Sequence, residues 1–280
     1  MQRIVSCYTN CFGPAGVWAA VEAIRSAGLN HLELAMRGHA LGGLVIPEEV
    51  VVTERADDDT AARFVEHLRQ HQVQVSGCNV GGADMRTTEG IDLVIRRIAF
   101  ARRWFGVSVV VSGAGQPEND VQRQAVIDGL RRIGDFAGEL GVMVALETHK
   151  GPTQNADAML KIIDDVNHDQ IRLNFDTGNL AYYNAGVDVV AELKKVAPLV
   201  KNVHVKDNRG QFEDWYFPAV GDGGAVDFKG VRETLDAAGF QGAYTIEIEG
   251  IGGEPEPGPE ERLNRITRSV NHLKKCGYLD

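Results

Sequence analysis

The chain of 280 residues carries a formal net charge of −10, with 44% hydrophobic and 24% charged residues. Such a composition predicts a globular protein with a sizeable core and excludes the disordered, collagenous and membrane-spanning classes. No run of Lys or Arg stands apart from the helical stretches, so nucleic acid and anionic membranes are poor partners, and small neutral or metal-bridged substrates remain.

The first apolar run is "RIVSCYTN" (3 to 10), followed by the helical pattern "GVWAAVEAIRSAG" and a second run, "HLELAMR" (31 to 37). Cys7 and Cys11 lack CxxC spacing, and with Cys78 and Cys276 they are too few and too scattered for a disulfide framework. Thiols in a reducing compartment are expected. The start "MQRIVSCYTN" has no apolar leader core, and nowhere do about 18 apolar residues run together, so a cytoplasmic protein is expected.

Further strand-like runs follow at "VQVSGCNV" (73 to 80), "VSVVVSGAG" (107 to 115), "VMVALETH" (142 to 149), "IRLNFDTGN" (171 to 179), "LVKNVHVKDN" (199 to 208) and "AYTIEIEG" (243 to 250). Amphipathic stretches such as "IDLVIRRIAFARRWFG", "VIDGLRRIGDFAGELG" and "FKGVRETLDAAGF" separate them, several closed by the Gly that ends a helix. Eight strand–helix units with no low-complexity linker predict an α/β fold, a single (β/α)8 barrel domain over residues 1–280. An open dinucleotide-binding sheet lacks its GxGxxG after the first strand, and the Pro-rich "GEPEPGPEER" (253 to 262) reads as a loop before the last helix.

Chemistry in such barrels gathers at the C-terminal strand ends. Strand five ends in Glu147 and His149, strand six in Asp176, strand seven in His204 and Lys206, and strand eight in Glu247 and Glu249. Carboxylates converging on one mouth repel one another unless a cation or protons compensate them, and oxygen donors with one imidazole suit a divalent ion such as Mn²⁺, with Mg²⁺, Co²⁺ or Zn²⁺ as alternatives. A lone His or Asp at a strand end is more often a cap; four in register on successive strands argue for a metal site. On strand seven, Asn202, His204, Lys206 and Asn208 share a face that a plain core strand would fill with Val or Ile.

The order of Glu147, Asp176 in "FDTGN", His204 in "HVKD" and Glu247 in "YTIEIEG" resembles the sugar phosphate isomerase/epimerase family of the xylose isomerase-like TIM barrel superfamily. The resemblance is sharpest from 142 to 250. It implies one divalent metal held by Glu147, Asp176, His204 and Glu247, the two glutamates doubling as acid and base, and Glu249 as the rival for the last ligand position. The superfamily also holds inosose and 3-dehydroshikimate dehydratases and apurinic endonucleases. Asn179 stands where many relatives have His, and "VKDNRG" replaces the element that follows the metal His in ketose epimerases.

The implied activity is a metal-dependent isomerase or epimerase acting on a ketose or keto-sugar by proton abstraction through a metal-stabilised enediolate. A lyase of the same superfamily, dehydrating an inosose or 3-dehydroshikimate or eliminating from a 3-keto-glycoside, is the alternative. An endonuclease-like or a non-catalytic sugar-binding protein ranks lower. Substrate contacts are expected from His149, Asn179, Lys206, Arg209, Trp215 and Cys78, with Asn79, Tyr8 and Asn10 as further pocket candidates. "DWYFPAVGDGG" (214 to 224) reads as a lid whose Trp215, Tyr216 and Phe217 cover a sugar. The expected partner is a small sugar, with a homo-oligomer left open.

Overall fold

A computed structural model of the chain describes residues 3–36 and 53–280. Its parallel strands β1 (Ile4–Tyr8), β2 (His31–Ala35), β3 (Gln74–Asn79), β4 (Val109–Ser112), β5 (Met143–Glu147), β6 (Ile171–Asp176) and β7 (Val200–Val205) run in order around a closed barrel. A short β8 (Tyr216–Phe217) leaves the ring, β9 (Ala243–Ile246) completes it by pairing with both β7 and β1, and β10 (Gly250–Ile251) pairs antiparallel with β8 as a separate ribbon. The eight barrel strands are those expected from the apolar runs, each somewhat shorter. Arg37, at the end of the second run, lies outside the described residues.

Around the strands lie α1 (Gly16–Ala23), α2 (Asp58–Gln70), α3 (Thr88–Phe105), α4 (Asp120–Glu139), α5 (Ala156–Val166), α6 (Thr177–Tyr183), α7 (Val189–Val196), α8 (Phe228–Ala237) and α9 (Pro259–Lys275). The sequence starts these helices with its own side chains. Asp57, Thr87, Asn119, Asn155, Asp188 and Asp227 each accept a backbone N–H from the first turn of α2, α3, α4, α5, α7 and α8. Each cap satisfies a donor that the helix cannot, a contribution of about 1 kcal/mol. Among the described residues no helix is long and apolar enough to cross a membrane.

Strand alternation divides the core. Residues such as Val110, Leu146, Leu173, Phe175, Val203 and Ile246 pack outward with Ile98, Leu130, Met159, Ile162, Leu193 and Ile266 of the helices. Cys78 belongs to this outer apolar layer, fully buried, while its neighbours Gly77 and Asn79 take the opposite face. The pleat therefore withdraws Cys78 from the substrate contacts expected of it. Inside the barrel, Glu33, Asn174, Asn202 and Thr245 form a buried polar layer directly beneath the C-terminal ends.

Two strand ends differ from expectation. Strand six stops at Asp176, because its carboxylate accepts the N–H groups of Gly178 and Asn179 and so starts α6; Asn179 is helical. Strand seven stops at Val205, and Asp207 turns into the loop that follows the ribbon, accepting from Gly221 at 2.8 Å and Asn208 at 2.9 Å. Gly224 packs so closely that a Cβ there would stand 1.8 Å from Asp207 Oδ1. The expected lid is thus a fastened roof: β8 is zipped to β10, and Asn208 donates to the carbonyls of Asp214 and Tyr216. Replacing Asp207 by Ala leaves the buried Asn208 N–H and the part-buried Gly221 N–H without their acceptor and should cost about 1–3 kcal/mol. Urea unfolding monitored by circular dichroism checks this, and an unchanged midpoint contradicts the clamp.

Candidate metal centre

The four strand-end residues expected to meet do so. Glu147, Asp176, His204 and Glu247 each present a donor atom, and these atoms all lie within 4.8 Å of one another. The register explains the convergence: Asp176, His204 and Thr245 stand level on β6, β7 and β9, so the next residue after Thr245 on the same face is Glu247. His204 Nδ1 lies 3.0 Å from Glu147 Oε1, 3.1 Å from Glu247 Oε2 and 3.8 Å from Asp176 Oδ2. Asp176 divides its oxygens, since Oδ1 caps α6 whereas buried Oδ2 accepts no hydrogen bond. Glu249 does not join the four donors; it pairs with Lys206 instead.

A residue that sequence reasoning missed fixes the imidazole. Glu33 on β2 is fully buried, and its Oε1 accepts from His204 Nε2 at 2.9 Å, while Oε2 accepts from Asn202 at 2.9 Å and Thr245 at 3.1 Å. With Nε2 carrying the proton, Nδ1 is left to face the three carboxylates as a neutral donor. Tyr8 stacks on the ring at 5.7 Å, and Asn10 donates to Glu247 Oε1 at 2.9 Å. The available signal was a lone Glu at the inward position of "HLELA", a strand otherwise apolar after its first residue.

The electrostatics ask for a cation. Burial pushes the Asp176 carboxyl well up, and Glu247 and Glu147 add to this against Lys206 and His204. Burial opposes a charge on His204, yet Glu33, Glu247 and Glu147 together lift the imidazole well above its ordinary range. The crowded carboxylates thus favour positive charge at the ring, and the oxygen-rich set with one imidazole fits a divalent ion. Lys206 supplies part of the compensation: buried, it reaches Glu249 at 2.7 Å, Asn179 at 3.1 Å, Glu247 at 3.4 Å and Asp176 at 3.7 Å, under the Phe217 ring. Gly178 leaves room for its stem, since a Cβ there would meet Lys206 Cγ at 2.8 Å.

The other expected contacts divide. Trp215 and Glu249 line a cavity of about 190 Å³ beside the centre, with Cys11, Ile248, Arg262 and Arg265. His149 is exposed at the mouth and hydrogen-bonded to the Tyr183 hydroxyl at 3.1 Å. Arg209 lies on the exposed surface, paired with Asp214 and stacked over Tyr216, outside the donor cluster.

A family model described as a xylose isomerase-like TIM barrel matches residues 21–276. An inosose dehydratase of Geobacillus thermodenitrificans (strain NG80-2) is 31% identical over 140 residues, 44% of this chain and 46% of that protein, so the match spans about half the length of this curated relative. Among solved structures, an L-ribulose 3-epimerase superposes with a TM-score of 0.71 at 15% identity over 98% of this chain and 94% of its own. A xylose isomerase-like TIM barrel protein from Mycobacterium smegmatis, in complex with magnesium, does so at 0.68 and 20% over 96% and 98%.

Metal analysis of variants tests the centre. His204→Ala should lose most of the bound divalent metal with the fold intact, and Glu33→Gln should weaken metal affinity roughly 10–100-fold by releasing the ring orientation. Metal content unchanged in His204→Ala removes the centre.

Proposed function

The chain belongs to the xylose isomerase-like TIM barrel family, and on that premise we propose that it is a cytoplasmic, divalent-metal-dependent enzyme that dehydrates a small cyclic or open keto-polyol. The single observation carrying this reading is the unequal setting of the two glutamates. Glu147 is partly open to the mouth, whereas Glu247 is buried between Asn10 and the Lys206 ammonium. The inosose dehydratase relative supports the same outcome.

Glu147, Asp176, His204 and Glu247 would hold a divalent ion, with Mn²⁺ our first choice, and when bound it would supply Lewis-acid polarisation that acidifies the C–H next to the substrate carbonyl. Glu147, facing the mouth, takes that proton. The C–H electron pair then forms a carbon–carbon double bond as the C–O bond on the carbon β to the carbonyl breaks, and the departing hydroxide takes the proton back from Glu147 to leave as water. Lys206, by exchanging Glu249 for a substrate oxygen, offsets the charge that develops on the departing hydroxyl. Trp215 and the cavity beside Glu249 hold the far side of the substrate, and His149 with Tyr183 forms the opposite rim.

Isomerisation or epimerisation is the second reading. Glu147 and Glu247 approach the same Nδ1 at nearly equal distances, so a proton removed by one could be returned by the other to the opposite face.

Metal-loaded enzyme incubated with inososes, 3-dehydroshikimate and free ketoses, with products followed by mass, distinguishes the two: dehydration loses one water, and isomerisation preserves the mass. Glu147→Gln and Glu247→Gln, each loaded with metal, should lose at least ~10²-fold in turnover, since an amide keeps an oxygen for the ion but exchanges no proton near neutrality. Full turnover in either variant takes that glutamate out of the chemistry.

A further inference from the structure

A second group of metal-ligating side chains lies away from the mouth. Glu22, in the last turn of α1, and His67 and His71, at the end of α2, present donor atoms that all lie within 4.8 Å of one another. We propose that these three residues form a second metal site, of the imidazole-rich kind that takes Zn²⁺, Ni²⁺ or Cu²⁺ in preference to Mg²⁺ or Mn²⁺.

Helix geometry prepares the pair. Residues four apart sit one above the other on one helix face, so His67 and His71 bring their rings to 4.5 Å between centroids, the separation from which two imidazoles can share one ion. Glu22 comes from the neighbouring helix, its Oε1 3.7 Å from His67 Nε2, and adds a carboxylate across the α1–α2 seam. His67 is held in place: its ring packs on Trp18 at 4.9 Å, and Trp18 is itself wedged edge-on against Phe64 at 5.0 Å. Its Nε2 lies 3.4 Å from the Trp18 carbonyl, a contact long enough to give way to a stronger partner.

The donor chemistry separates the two centres. Two imidazoles and one carboxylate match the three-protein-ligand pattern of zinc with a fourth position open to water, whereas the mouth offers three carboxylates and one imidazole. The two also lie at opposite ends of the barrel, because the last turn of α2 leads directly into the start of β3, the end remote from the catalytic face. An ion here would join α1 to α2 beside the ring contacts of Trp18 with Phe64 and His67.

Calorimetric titration of metal-stripped protein with zinc chloride, on wild type, His71→Ala, His204→Ala and the double variant, tests the site. Wild type should bind one equivalent more than His71→Ala, and His204→Ala should keep the equivalent that His71→Ala loses. In the His204→Ala background, zinc should raise the thermal midpoint, and adding His71→Ala should abolish that rise. His71 caps α2 at the surface, and His71→Gln with a circular dichroism check guards against a folding defect. Equal zinc stoichiometry in wild type and in folded His71→Ala or His71→Gln overturns the site, whatever the state of the centre at the mouth.

Discussion

Everything at the mouth depends on one imidazole held between opposite demands. His204, itself fully buried, gives Nε2 to Glu33 below and turns Nδ1 to three carboxylates above. Taken alone, that arrangement is unstable, because burial raises the energy of every charge and like charges gather at short range. It is tolerable only with compensating positive charge. Lys206 provides some of it from the side, and a divalent ion at Nδ1 would provide the remainder. The polar layer of Asn174, Asn202 and Thr245 under the mouth then follows, since it satisfies Glu33 and so keeps the ring in one tautomer.

The barrel and the four donors were legible in the sequence because both rest on period-two alternation. A Glu, Asp or His at the end of an apolar run is conspicuous, and four such ends in consecutive units imply a shared mouth. Glu33 obeys the same alternation but escaped, because its partner is 171 residues away and a single acid inside "HLELA" announces nothing about which wall it faces. Asp176 was read only as a ligand, whereas it also starts a helix; side-chain capping needs the backbone to turn, and that turn is set by packing against β7. The same limit explains Cys78, whose place depends on an irregularity in the β2–β3 register that shifts which residues face inward.

The loop after β7 shows how one short motif serves two ends. In "HVKD", His204 and Lys206 address the mouth, while Asp207 points the other way and ties down the segment around Gly221 and Gly224. Phe217, roofing the Lys206 ammonium, is carried by that same segment. Charge compensation inside the site and the order of its cover are therefore linked through adjacent residues, which accounts for a roof that is zipped and hydrogen-bonded where a freely hinged flap was expected.

The chain divides the centre unevenly along its length. All four donors come from the second half, between Glu147 and Glu247, while the groups that aim them come from the first two strands, Tyr8 and Glu33, and from Asn10 just after β1. These reach the donors only when β1 pairs with β9, the contact that closes the ring across nearly the whole sequence. Forming so distant a contact carries a large loop-closure entropy and belongs to the slow part of folding. A chain still open at that seam would hold four ligands with no fixed tautomer among them, so tight coordination would arise only after closure and would lock it by mass action.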